Sequence, residues 1–213
     1  MTNELIPLHI SGTEGYAEQA DDLIGRWQKL SFKDRHGVVA DLLPTKPSRL
    51  LDIGSGIGTD AAAFAAMGHQ VVAVEPTEEL RIPGISLYGS AGIEWLDDSL
   101  PELSKVVERY ELFDLIMITA VWMHLNEPER DRAMPRIASL LGKSGMLIMS
   151  LRHGPTPYGR RMFDVSAEET IQLASRHGLS PVLNLRTKSL QEENIRNNVS
   201  WTRLAFRPAD VKL

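Results

Sequence analysis

The run Leu50-Leu51-Asp52-Ile53 passes directly into Gly54-Ser55-Gly56-Ile57-Gly58, and few sequence features restrict a fold more. An apolar run too short for a helix, ending in alternate glycines, marks a buried parallel strand that turns tightly into a helix. Thr59 to Met67 is alanine-rich and closed by Gly68, so it reads as a helix with a smooth face that can lie close on a sheet. Gln70 to Val74 is the next strand. Strand, glycine turn, helix and strand in that order begin a parallel sheet with helices on both faces. Ligands of such sheets sit outside the carboxyl ends of the strands, near the point where strand order reverses, which makes the glycine loop the expected site.

Upstream, residues 16 to 42 read as one helical region, with Leu23, Ile24, Trp27 and Leu30 on an apolar stripe. Downstream, Ile93 to Leu96, Glu111 to Ala120 and Gly145 to Leu151 read as strands, with short helix or loop between Thr77 and Gly92. Pro135 should break or kink the helical region around Met134 and Ile137. Ser166 with Glu169 reads as a capping box opening a helix that ends at Gly178, and strands follow near Pro181 to Leu185 and Val199 to Phe206. The 213 residues suit one α/β domain, with 1–45 as an amino-terminal helical lid and 46–213 as the ligand-binding core.

Charge and composition exclude some partners. A net charge of −5 disfavours a nucleic-acid footprint, which needs a basic stripe. The absence of cysteine removes disulfides and thiolate metal sites and fits a reducing, cytoplasmic setting. No apolar segment approaches bilayer-spanning length, and the start lacks a basic stretch followed by an apolar run. The scattered histidines form no paired ligand spacing, so no metal is expected.

The neighbouring acids choose among ligands for the glycine loop. Its glycines allow backbone angles and close approaches that a side chain would forbid, but Thr59 stands where a dinucleotide fingerprint needs Gly or Ala. Asp52, just before the loop, would repel a pyrophosphate and attract the ammonium of a methionine moiety beside a positive sulfonium. Glu75 closes the second strand, where an acid accepts hydrogen bonds from a ribose diol.

These residues resemble the class I S-adenosylmethionine-dependent methyltransferases, whose first motif is acid-x-Gly-x-Gly-x-Gly. The resemblance runs from about Arg49 to Leu151 and through the terminal hairpin. It implies a doubly wound, seven-stranded, mostly parallel sheet of the Rossmann-like methyltransferase type, with an antiparallel terminal strand. By the same resemblance Asp52, Gly54, Ser55, Gly56 and Gly58 with Glu75 and Pro76 hold S-adenosylmethionine and its product S-adenosylhomocysteine. An acid near the adenine is Asp97, with Asp98 as the competing assignment. Thr119 and Ala120 complete the cofactor site, Phe113-Asp114-Leu115-Ile116 resembles a fourth motif whose acid faces the donor methyl, and Gly142 to Gly145 resembles the turn before strand five.

The segment Ile118-Thr119-Ala120-Val121-Trp122 lacks the Asn/Asp-Pro-Pro-aromatic motif of enzymes that methylate nucleic-acid bases, so a small-molecule acceptor is expected. His124 and His153, just beyond strands four and five, are candidate general bases because imidazole titrates in the useful range. Tyr16, Trp122, Arg152 and Arg160 are candidate acceptor contacts, the arginines as an oxyanion clamp. A monomer or homodimer is expected, and the competing readings are a non-catalytic S-adenosylmethionine-binding module and a dinucleotide-dependent oxidoreductase.

Overall fold

A computed structural model describes residues 10–209; the stretch at the very start, read above for an export signal, lies outside them up to residue 9. The strands are β1 (Arg49–Ile53), β2 (Gln70–Val74), β3 (Glu94–Leu96), β4 (Phe113–Ile118), β5 (Leu141–His153), β6 (Leu179–Lys188) and β7 (Ser200–Pro208). They form one sheet in the order β3-β2-β1-β4-β5-β7-β6. β1 pairs in parallel with both β2 and β4, and β7 runs antiparallel between β5 and β6. Strand order therefore reverses between β1 and β4, and their carboxyl ends open the crevice that this topology provides.

Both faces of the sheet are covered, and the strand period of two shows how. Leu51, Ile53, Ile116, Ile118, Leu147 and Met149 point to one side, where they pack with Met134, Ile137 and Leu173. The alternate residues Leu50, Leu115, Met117 and Ile148 point to the other and meet Phe64 and Ala61. Those partners come from α6 (Glu127–Ser139) and α7 (Ala167–Arg176) on the first face and α3 (Thr59–Ala66) on the second. By the same alternation Asp52 shares a face with Leu50, which aims its carboxylate toward α3.

Several local expectations change. The helical region at 16 to 42 divides into α1 (Ala20–Trp27), α2 (Phe32–His36) and a 3-10 segment at Gly37–Leu42. Ser31 is the cause of the restart, since its hydroxyl accepts the Asp34 N–H and caps α2. α4 (Glu78–Tyr88) runs through Pro83 where the sequence pattern was weak, and a short α5 (Ser104–Val107) precedes β4. α6 likewise continues past Pro135 without a break, because Ala133, Met134 and Ile137 are fully buried and their packing outweighs the lost backbone hydrogen bond. Asn126 caps α6 through a reciprocal box with Glu129. The box expected at Ser166 is half-formed: its hydroxyl accepts the Glu169 N–H, but the Glu169 carboxylate turns to Arg130. A last short helix, α8 (Glu192–Arg196), lies between β6 and β7.

Candidate active site

A cavity of about 620 Å³ opens at the carboxyl ends of β1 and β4. The glycine loop forms its floor. Gly54, Gly56 and Gly58 all take positive φ, at 68°, 57° and 75°, angles that ordinary side chains disfavour. Gly54 and Ser55 both donate their N–H to the Val74 carbonyl, which ties the loop to the end of β2. A Cβ on Gly54 would fall 2.3 Å from Val121 Cγ2 in the loop after β4, so bare backbone is what lets the two loops meet at the switch point. Gly58 has another reason to be glycine: its open side is filled by the Trp95 indole, and it does not line the cavity.

Three acids meet this floor. Asp52 is 3% exposed, with one carboxylate oxygen buried and unpartnered among the described residues. Burial raises its pKa well above the usual carboxylate range, and neighbouring Asp60 adds to the rise. Asp60 shows the opposite balance. Burial pushes it up, but His36 Nε2 at 2.7 Å and Arg35 Nη1 at 3.0 Å overcome that and hold it below its ordinary value. Glu75 is 5% exposed and accepts the N–H groups of Gly56 and Thr77, both at 2.8 Å. Burial raises it despite those bonds, and its remaining lone pairs still face the cavity.

The amino-terminal segment meets this floor. Trp27 of α1 lies over Gly56, with the ring 2.9 Å from where a Cβ would stand, and packs with Ile57 and Leu80. Trp27 is therefore both core and cavity wall. Tyr16 reaches across the opening, and its hydroxyl lies 3.0 Å from His124 Nε2. His124 Nδ1 lies 2.6 Å from the Arg161 carbonyl. A carbonyl only accepts, so Nδ1 carries the proton, Nε2 holds the free lone pair, and the Tyr16 hydroxyl donates to it. Burial lowers the pKa of His124, with the Arg161 hydrogen bond opposing and the Arg160 charge adding to the fall. Burial pushes the Tyr16 phenol up to about 12. The pair is thus neutral at physiological pH, and the neutral imidazole is a base.

The Arg160 guanidinium carbon sits over the Tyr16 ring, 3.8 Å from its centroid, and Arg160 donates to the Glu14 carbonyl and to Gln19 Oε1. Arg161 donates to the His124 carbonyl and pairs with Glu129 at 3.0 Å, so the α6 cap anchors the histidine. Arg152, at the end of β5, lines the cavity with Trp201, its register partner on β7.

The cavity brings together Asp52, Gly54, Ser55, Gly56, Glu75, Pro76, Asp98, Thr119, Ala120, Tyr16, His124, Arg152 and Arg160. Others lie elsewhere. Trp122 is fully buried in the core, so it does not face an acceptor. His153 stays in the sheet with its Nε2 2.8 Å from the Thr202 hydroxyl and does not line the cavity. Asp97 is half-exposed and faces Arg81 and Lys105, whereas Asp98 lines the cavity while accepting the N–H groups of Ser99 and Val106. Asp114 sits at the opposite end of β4 and accepts the Arg49 N–H, which corrects its expected place facing a donor methyl. Sequence reading passed over Arg35, His36, Asp60 and Ser150. Ser150 accepts the N–H of Ala120, a residue at φ 61° beside the crevice. A hydroxyl within the apolar run Met146 to Leu151 was the available signal.

Residues 24–185 match the model of a methyltransferase domain family. An uncharacterized methyltransferase of Bacillus licheniformis is 29% identical over 157 residues, covering 70% of this chain and 68% of the relative. Among solved structures, the 1,6-didemethyltoxoflavin-N1-methyltransferase of Burkholderia thailandensis superposes with a TM-score of 0.70 at 20% identity, covering 92% of this chain and 86% of that one. A cyclase shares the fold as well, at a TM-score of 0.67, 15% identity and coverage of 91% and 94%.

Proposed function

Since the chain belongs to the methyltransferase domain family, we propose that it moves the methyl group of S-adenosylmethionine to a small-molecule acceptor by in-line displacement. The observation that carries this reading is Asp52: a buried carboxylate with an oxygen unpartnered among the described residues, on a residue that lines a cavity floored by glycines. That oxygen lacks a cation, and the ammonium of the donor's methionine end fits it by charge and by hydrogen bonding. Glu75 would accept from the ribose hydroxyls, and Asp98 rather than Asp97 would border the adenine. Fold alone does not name the reaction, since a cyclase shares it; the acids of this site are what support a cationic donor.

The bound donor supplies an activated methyl on a sulfonium, so the protein's tasks are positioning and exclusion of water. Alignment of that kind contributes about 7–11 kcal/mol in favourable cases. The Trp27 and Tyr16 lid excludes water. His124 Nε2 takes the proton lost by the acceptor's nucleophilic atom, either directly or through the Tyr16 hydroxyl, which passes its own proton to the imidazole as it receives another.

Titration calorimetry with S-adenosylmethionine and, separately, NADH tests the reading. Micromolar binding of the former, weakened by Glu75→Gln and with NADH silent, supports it. A preference for NADH would return the site to dinucleotide chemistry. Product S-adenosylhomocysteine formed with an acceptor library distinguishes an enzyme from a binding module.

A further inference from the structure

Two of the arginines lining this cavity are neutralised, Arg26 by Glu193 and Arg35 by Asp60, and Arg203 donates to the Arg35 carbonyl. Arg152 and Arg160, which flank the Tyr16–His124 pair, have no carboxylate partner among the described residues. Their donors are arranged differently. Arg160 has both terminal nitrogens engaged, by the Glu14 carbonyl and Gln19, and its guanidinium carbon sits over the Tyr16 ring. Arg152 donates through Nη1 alone, to the Pro155 carbonyl at 2.7 Å and the Gly154 carbonyl at 3.5 Å. The edge formed by its Nε and Nη2 is unengaged among the described residues, and two parallel N–H groups on one edge match the two oxygens of a carboxylate.

We infer that the methyl acceptor is a small carboxylate, gripped by the free edge of Arg152 beside the fixed charge of Arg160, with its nucleophilic atom at Tyr16 and His124. The inference rests on the methyl-transfer reading above. Arg160 supplies charge from a locked position, so it favours a monoanion without competing for its geometry. A phosphate would present a third oxygen beyond the two that this edge of Arg152 pairs. Burial lowers the pKa of both guanidiniums, a cost that a bound anion would offset. Trp201, Met162 and Leu190 line the same region and give the acceptor's body an apolar surface.

The test uses the full chain. Calorimetry with S-adenosylhomocysteine comes first, and its failure would remove the donor reading itself. The protein loaded with S-adenosylhomocysteine is then titrated with benzoate, salicylate, anthranilate and indole-3-acetate, each against its own carboxamide, and with phenyl phosphate. The expected result is that at least one carboxylate binds 10-fold or more tighter than its amide, that Arg152→Gln weakens it by roughly 10-fold or more, as for a hydrogen bond to a charged group, and that Arg160→Gln weakens it by a smaller factor through loss of a nearby charge. Retained S-adenosylhomocysteine binding by the variants shows that they fold. Carboxamides binding as well as carboxylates, a carboxylate that neither substitution weakens, or phenyl phosphate outbinding benzoate would each overturn the inference.

Discussion

Replacing Asp52 with Asn should make the ligand-free protein more stable and the donor-bound protein less so. Asp52 is 3% exposed, has an unpartnered oxygen and lies near ionised Asp60. An unpaired buried polar group costs about 1–3 kcal/mol, and a charged one more. Asn keeps the shape and removes the charge, so a gain of about 1 kcal/mol is expected, or roughly 2–4 °C in Tm for a chain of this length. The pH dependence has a definite sign. Burial raises the pKa of Asp52 in the fold, so the unfolded chain releases this proton first. The group's stabilising contribution is complete below the unfolded value of about 3.9 and is lost as pH rises through the folded value. The advantage of the variant is therefore present at neutral pH and narrows on acidification.

The same substitution removes the charge expected to meet the donor's ammonium. Losing a hydrogen bond to a charged group costs about 1.5–3 kcal/mol, so S-adenosylhomocysteine should bind about 10- to 150-fold more weakly. 5′-Deoxy-5′-methylthioadenosine has no ammonium, and its affinity should be unchanged. Scanning calorimetry at several pH values and titration with both ligands check the pair of effects. A lower Tm, or equal weakening for both ligands, would refute the placement of the donor's amino-acid end at Asp52.

Three further outcomes are expected. By NMR titration of the imidazole, His124 should titrate below the ordinary histidine value of about 6.5, and Arg160→Gln should move it upward, because burial and the Arg160 charge both lower it; a fall or no movement would contradict the arrangement. Gly54→Ala should cost about 1–3 kcal/mol through overlap with Val121 and strain at φ 68°, and Val121→Ala in the same chain should recover part of the lost Tm, whereas an additive loss would place the cause elsewhere. Phe64→Ala should cost about 3–5 kcal/mol, roughly 6–20 °C in Tm, since Phe64 is fully buried between α3 and the sheet.

The fold was legible where one short segment carried its own constraint. β1 and β2 lie at the residues the apolar runs marked, because a strand buried on both faces is mostly apolar and β1 ends where the glycine loop begins. Where the constraint is tertiary, the sequence misleads. Pro135 argues for a break, yet three fully buried neighbours hold α6 together. The stripe from Leu23 to Leu30 argues for one long helix, yet the Ser31 hydroxyl starts a new one. The site divides in the same way. Asp52 and Glu75 were readable because each lies at the carboxyl end of a strand, Asp52 one residue before the end of β1 and Glu75 just after β2, and strand ends line the crevice. Asp97 and Asp98 are adjacent in sequence, so only the backbone turn after β3 decides which one faces the cavity. Asp60 and Arg35 approach each other from separate helices, a pairing that no spacing records.

The charges in the cavity explain why so many of its groups are held away from their ordinary protonation. At the glycine floor Asp52 and Glu75 are raised by burial, and at the end of β5 and in the loop after it Arg152 and Arg160 are lowered by it. Each set of groups was taken from water without a full counter-charge, and each lies at a different part of one cavity. A cation against the acids and an anion against the arginines would each restore the charged form of its partner, so each ligand would bind more tightly than an uncharged analogue of the same shape. Between them stand Tyr16 and His124, neutral because they are buried and because Nδ1 is committed to the Arg161 carbonyl. A proton can leave an acceptor toward Nε2 without placing a second positive charge beside an unscreened arginine, provided that the arginine already holds its anion. On the proposed reading, binding of an acceptor carboxylate and the basicity of His124 would thereby be linked: neutralising Arg160 removes one of the influences that depress the imidazole, so a base at His124 would become stronger with the acceptor in place.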